Sequence, residues 1–200
     1  MLSDTQTTQL EENLLPEQEN CEIIQDDFPW YGIKLYTMRQ QEVADYFAQH
    51  ELETFIPQEY VDVETDDHKI KHILRPVVRN LLFLKKSKDE KVMREIIANC
   101  HYKLSVLTKG RADRAYYEIP AKQMFEFRVM CNPKITMRKF ISEEEAHLKA
   151  GSRVIVKYGP MKGLTGRLVR SSKKYYLLKE VPGMAIMLKI SRWCCASSEI

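Results

Sequence analysis
The chain has 200 residues and a mass of 23.5 kDa, is 44% hydrophobic and 30% charged, and so reads as one or two globular domains with enough length to bury a core. A mean hydropathy of −0.41 and the lack of any run near ~20 apolar residues exclude a helical membrane span. With neither a basic flank nor an apolar stretch at the N-terminus, no secretory signal is expected and the chain is placed in the cytoplasm.

The net charge of +3 conceals a polarity. Residues 1–29 carry eight acids and no Lys or Arg, leaving 31 bases against 20 acids over 30–200. The head has no strong periodicity and is expected to be an acidic flexible tail. Residues 151–200 hold ten bases and two acids. That end suits nucleic acid or an acidic protein surface, and equally a merely solvated basic face. The five cysteines (Cys21, Cys100, Cys131, Cys194, Cys195) include no C-x-x-C pair, and are expected as small buried hydrophobes in a reducing compartment.

In chain order, Trp30 to Tyr36 alternates as a strand. Thr37 and Gln40 are spaced as a capping box opening a helix through about His50, with Val43, Ala44 and Phe47 on its apolar side. Phe55 to Val63 reads as a second strand and Asp66 to Lys69 as a polar tip. Val77 to Leu84 is a short apolar strand. Ser87 and Glu90 mark a second helix striped by Val92, Met93, Ile96, Ile97 and Cys100. Leu104 to Leu107 and Tyr116 to Ile119 are short strands, and Pro120 suits the first turn of a helix carrying Met124 and Phe127. The order β-α-β-β-α-β predicts a ferredoxin-like α+β layer, with helices on one face of an antiparallel sheet and the other face left to be covered or used.

Asn132-Pro133 interrupts this pattern, and 132–150 reads as a linker in which Ser142 and Glu145 cap a short turn. Five of the seven glycines lie beyond residue 150. Short strands from Arg153, Leu164, Tyr175 and Met184, separated by turns at Gly159-Pro160, Ser171 to Lys174 and Pro182-Gly183, indicate a small barrel. The expected divisions are therefore 1–29, 30–131, 132–150 and 151–200.

Two stretches resemble one family. Gly151-x-x-Val154-x-Val156-x-x-Gly159-Pro160-x-x-Gly163-x-x-Gly166 resembles the KOW motif of SH3-like barrels in NusG-type transcription factors and some ribosomal proteins. Trp30-Tyr31, Phe55-Ile56-Pro57 and the run from Arg75 to Leu84 resemble the NusG N-terminal domain. Together they cover about 30–197, and the combination is more specific than KOW alone. The acidic head, the diverged strand after Pro76 and the linker are most similar to the specialised UpxY and RfaH paralogues. The chain departs from the family after Arg75-Pro76, where Val78-Arg79-Asn80-Leu81 lacks the usual Pro and Gly.

The resemblance implies a non-enzymatic elongation and antitermination factor. It would bind the clamp helices of RNA polymerase through an apolar patch and suppress pausing or termination, at capsular polysaccharide operons if it is of the UpxY type. Lys34, Val78 and Phe83 match that patch, although Phe83 equally suits sheet core. In RfaH-like members the first helix reads the non-template DNA strand; the matching face here offers Arg39, Tyr46, Gln49 and His50. The family's barrel recruits a ribosomal protein or Rho, and its motif residues here are Gly159, Pro160, Gly163 and Gly166. The basic residues Arg167, Arg170, Lys173, Lys174 and Lys179 equally suit RNA, and the alternative function is an RNA- or ribosome-binding KOW module independent of polymerase. Glycine, proline and β-branched residues favour a barrel over a helical hairpin there. A monomer without cofactor is expected.

Catalytic patterns are missing: no P-loop, dinucleotide glycine pattern, G-x-S-x-G or H-E-x-x-H occurs. His68-x-x-x-His72, near Asp66 and Asp67, has metal-like spacing only on a helix; at a hairpin tip it does not converge, so no metal site is expected.

Overall fold
The computed structural model describes residues 26–198 except 65, 67 and 111–114, so the greater part of the expected acidic tail lies outside the described residues. The first sheet takes β1 (Trp30–Leu35), β2 (Thr54–Phe55), β5 (Leu81–Lys85) and β6 (Leu104–Val106) in the order β2-β5-β1-β6, every neighbour antiparallel. Two interleaved strand–helix–strand halves give that order. A further short strand, β7 (Glu118–Ile119), also pairs with β1. Between β2 and β5 the chain leaves the sheet as a separate ribbon, β3 (Gln58–Glu64) with β4 (Ile70–Pro76).

Pleating sends alternate residues of β1 and β5 to opposite faces. Tyr31, Ile33, Leu35, Leu82 and Leu84 pack against Val43 and Phe47 of α1 (Gln40–Gln49) and Met93, Ile96 and Ile97 of α2 (Glu90–Ala98). Trp30, Leu81 and Phe83 point the other way and join Met124, Phe127 and Met130 of α3 (Ala121–Met130).

That second cluster does not stop at the first sheet. It runs on through Val154, Val156, Leu177, Val181, Met184, Ile186 and Leu188 of the C-terminal sheet. The C-terminal sheet is one antiparallel ladder ordered β13-β9-β10-β11-β12-β8, from β8 (Arg138–Ile141), β9 (Gly151–Val156), β10 (Thr165–Ser171), β11 (Lys174–Val181), β12 (Met184–Lys189) and β13 (Cys195–Ser197). Among the described residues no pairing joins β13 to β8, so a closed barrel is not seen. Residues 132–150, expected as a linker, supply the outer strand β8 and α4 (Glu143–His147), whose start is capped by Ser142 Oγ accepting from the Glu145 amide at 3.1 Å.

The other two expected capping boxes are not made. Arg39 and Asp89 stand at the N-caps of α1 and α2, neither with a side-chain cap. Gln40 is buried instead, and its amide donates to the carbonyls of Val78 and Leu81, tying the start of α1 to the entry of β5. The strand expected from Val77 begins at Leu81, because 77–80 form the turn out of β4.

Because the second core cluster joins both sheets, the chain is expected to unfold in one cooperative denaturant transition. Phe127→Ala should cost about 3–5 kcal/mol in that transition. Burial pushes the Cys131 thiol far above its usual range. Alkylation at pH 8 should therefore spare Cys131 until the protein unfolds, as peptide mass mapping would show.

Candidate functional site
The first candidate surface is the apolar face of β1 and β5. The register sets Gly32 opposite Phe83 and Lys34 opposite Leu81, so all four share that face. Lys34 is exposed at its rim, while Val78 is half-buried in the turn before β5. Phe83 is fully buried, with ring centroids 5.6 Å from Phe127 and 6.4 Å from Phe55. The face expected to be either covered or used is thus roofed by α3 and by the turn between β11 and β12.

The turn fits because it is thin. Gly183 has φ +89°, and a Cβ there would lie 3.1 Å from Leu81 Cδ2. Polar contacts fix the same junction. Lys179 on β11 and Glu126 on α3 form an ion pair whose side chains are 11% and 4% exposed. Thr165 Oγ1 also donates to Glu126 Oε2 at 2.8 Å, and Gln123 Nε2 donates to the Glu180 carbonyl at 2.7 Å. Neither Glu126 nor Gln123 was singled out from the sequence. Glu126 set between Phe125 and Phe127 is the local signal, and its partner lies 53 residues away.

The second surface is the outer face of α1. Arg39, Tyr46 and His50 fall at i, i+7 and i+11, nearly one line along the helix, whereas Gln49 is turned to the side. Tyr46 is half-buried: its hydroxyl donates to the Ile96 carbonyl at 2.8 Å and burial raises its phenol pKa. Its ring lies 4.8 Å from His50 and 6.2 Å from His101, whose own ring lies 3.9 Å from that of Tyr102 with the planes tilted by 43°. Arg39 is drawn to Glu42 at 3.4 Å, and the Tyr102 hydroxyl donates to the same carboxylate, holding Glu42 below the usual range. His101 and Tyr102, from the segment after α2, thus belong to this surface without any local sequence signal.

In the C-terminal sheet the motif glycines shape the β9–β10 connection. Gly159 and Gly163 have φ of +89° and +95°, a region that favours glycine, and the Gly163 amide donates to the Val156 carbonyl at 2.9 Å. Pro160 is exposed on the turn. A Cβ on Gly166 would lie 2.6 Å from the Leu178 carbonyl oxygen. These four residues build the loop. Of the basic residues named from sequence, Lys179 is used in the junction and Arg167 pairs with Glu180. Arg170, Lys173 and Lys174 have no carboxylate partner among the described residues.

At the ribbon tip, His68 pairs with Glu64 at 2.9 Å and His72 with Asp62, so the two histidines go to separate carboxylates. Among the described residues no cluster of His, Cys, Asp and Glu could hold a metal ion, and no helix is long and apolar enough to cross a membrane.

Removing one member of the junction pair tests the geometry. Lys179→Ala should destabilise the fold by about 3 kcal/mol, because Glu126 is left buried without its cation. Lys179→Met combined with Glu126→Leu should recover most of that loss in the same denaturant titration.

Comparison with protein families matches residues 28–128, just over half of the chain, to NusG, described as "Transcription termination factor nusG". No curated protein matches the chain.

Proposed function
Since this chain belongs to the NusG family of transcription factors, we propose that it is an elongation and antitermination factor that grips the clamp helices of RNA polymerase with the apolar face of β1 and β5. The observation that carries this reading is the second apolar face of the matched sheet. A ferredoxin-like layer needs only one face for α1 and α2, yet Trp30, Leu81 and Phe83 make the other equally apolar. Lys34 and Val78 form the accessible rim, with Phe83 as the floor. Helix α3 and the turn at Pro182-Gly183 cover that face, so docking requires both α3 and the C-terminal sheet to move away. A partner drives such a shift only through its higher affinity for the uncovered state.

In the same reading the C-terminal sheet is a KOW-type, SH3-like unit. Supporting it are the glycine-built β9–β10 loop and the run of five antiparallel strands from β13 to β12. Once released it recruits a ribosomal protein or Rho. The α1 surface meets the non-template DNA strand, with Tyr46, His50 and His101 as the ring cluster and Arg39 toward phosphate. Specialisation of the UpxY or RfaH type, at capsular polysaccharide operons, is supported by the acidic head, the diverged stretch after Pro76 and the segment 132–150.

Affinity capture of polymerase from the native cell tests the docking face. Lys34→Glu and Val78→Asp, each checked for folding by circular dichroism, should each lower polymerase recovery at least roughly tenfold, since interface anchors commonly contribute ~2 kcal/mol. Met93→Leu, a core control on the opposite face of the sheet, should leave recovery intact. Full recovery with both rim variants would refute this docking face. Phe83→Ala is unsuitable as the probe, because loss of a buried phenylalanine costs about 3–5 kcal/mol of fold stability.

A further inference from the structure
A cleft opens where α3 meets the C-terminal sheet, beside the Glu126–Lys179 pair. Its volume is about 480 Å³, within the size range of small-molecule sites. One wall is the first half of α3, with Lys122, Gln123 and Glu126. The other is formed by β9, β10 and β11, with Arg153, Thr165 and Arg167. The ladder between β10 and β11 ends at Arg167 and Leu178. Beyond it side chains take over, and Lys179 Nζ donates to the Thr165 carbonyl at 3.1 Å.

The inner charges of the cleft are matched. Lys179 is held by Glu126, and Arg167 by Glu180 and by the carbonyls of Ala146 at 2.8 Å and Lys149 at 3.0 Å. The outer charges are not. Lys122 and Arg153, both exposed at the mouth, have no carboxylate partner among the described residues. The cleft is thus lined by four cations and two carboxylates, an excess of two positive charges. Arg153 also stands directly opposite Arg167 in the β9–β10 register. Among the described strand registers this is the one pairing of two like charges. Like charges set opposite each other across an antiparallel pair are destabilising unless something neutralises them. Glu180 neutralises Arg167 alone.

We propose that this cleft binds a small phosphomonoester, its phosphate held by Arg153 and Lys122 and its body lying against Gln123, Thr165 and Ser198. A phosphate monoester carries a charge of about −1.5 to −2 at neutral pH, which matches the excess in the cleft. The planar fork of Arg153 can meet two phosphate oxygens at once, leaving a third for the Lys122 ammonium. The same anion neutralises the Arg153–Arg167 apposition. A dicarboxylate spreads its charge over two separate groups, whereas a phosphate concentrates it on one centre within reach of both side chains. A nucleic-acid strand needs an open track, and this cleft is walled by α3 on one side and by strands on the other. The site shares no residue with the polymerase-docking face, and its test contains no polymerase, so failure of either reading leaves the other standing.

The test is calorimetric titration of the full chain with inorganic phosphate and with ribose 5-phosphate, accompanied by thermal melting. Each probe should bind saturably at one site per chain. The ligand joins α3 to the C-terminal sheet, so saturation should raise the melting temperature. Arg153→Gln and Lys122→Gln should each weaken binding roughly tenfold, as loss of a hydrogen bond to a charged group does. Lys174→Gln, at the other end of β11 from Lys179, should bind as wild type does. Without ligand, Arg153→Gln should melt no lower than wild type, because it removes the like-charge apposition. The absence of saturable binding by either probe at millimolar concentration would overturn the site. Binding that is equal in wild type, Arg153→Gln and Lys122→Gln would mark an adventitious ion only and also overturn it. Succinate binding as tightly as ribose 5-phosphate would overturn the assignment to a phosphate. A single-stranded oligonucleotide that displaces ribose 5-phosphate would give these cations to a nucleic-acid track and overturn the small-molecule reading.

Discussion
The ring of Phe127 lies 5.6 Å from Phe83 and 6.5 Å from Phe55, which places α3 against the side of the first sheet that α1 and α2 leave free. The same helix touches the C-terminal sheet through Gln123 and Glu126. Its buried set, Met124, Glu126, Phe127 and Met130, therefore does not form one narrow stripe. A helix buried from more than one side loses the polar face of an ordinary surface helix. The position of both sheets follows from this wedge: without it, Trp30, Leu81 and Phe83 would present an apolar surface to water.

Charge refines what apolar contact sets. Apolar contact alone is tolerant of small shifts, whereas the Glu126–Lys179 pair, with Thr165 donating to the same carboxylate, is satisfied in one docking register. An ion pair this buried adds little net stability over apolar side chains of similar volume, because desolvation offsets the attraction. Its contribution is to make misdocked arrangements costly, since each would leave a buried charge alone. The short turn at Pro182-Gly183 does the same by shape, as only a residue without a Cβ lies comfortably over Leu81.

Much of the first sheet was legible from the sequence because its signals are local. The largely apolar run Trp30 to Leu35, buried at every position but Lys34, and the stripes of α1 and α2 are local marks of these elements. The ribbon strand β4 was not, since Lys71, His72 and Arg75 are exposed and no face of the ribbon is buried enough to impose a clear period. The capping box at α1 failed for a tertiary reason: Gln40 serves the carbonyls of Val78 and Leu81 instead of its own helix end; at α2 Glu90 pairs with Arg94 one turn on. In the candidate surfaces, Lys34, Val78 and Phe83 were placed on or beside one face, but the roof over Phe83 was invisible, as it joins segments far apart in the chain. His101, Tyr102 and Glu126 were missed for the same reason.

The covering of the apolar face sets a thermodynamic condition on any use of it as a docking surface. A face closed by the chain's own core opens only for a partner that binds the open state better, and moving such an equilibrium from 1:99 to 99:1 requires about 5.5 kcal/mol of differential affinity. That demand makes the proposed polymerase contact conditional on a partner able to replace both the apolar packing and the Glu126–Lys179 pair.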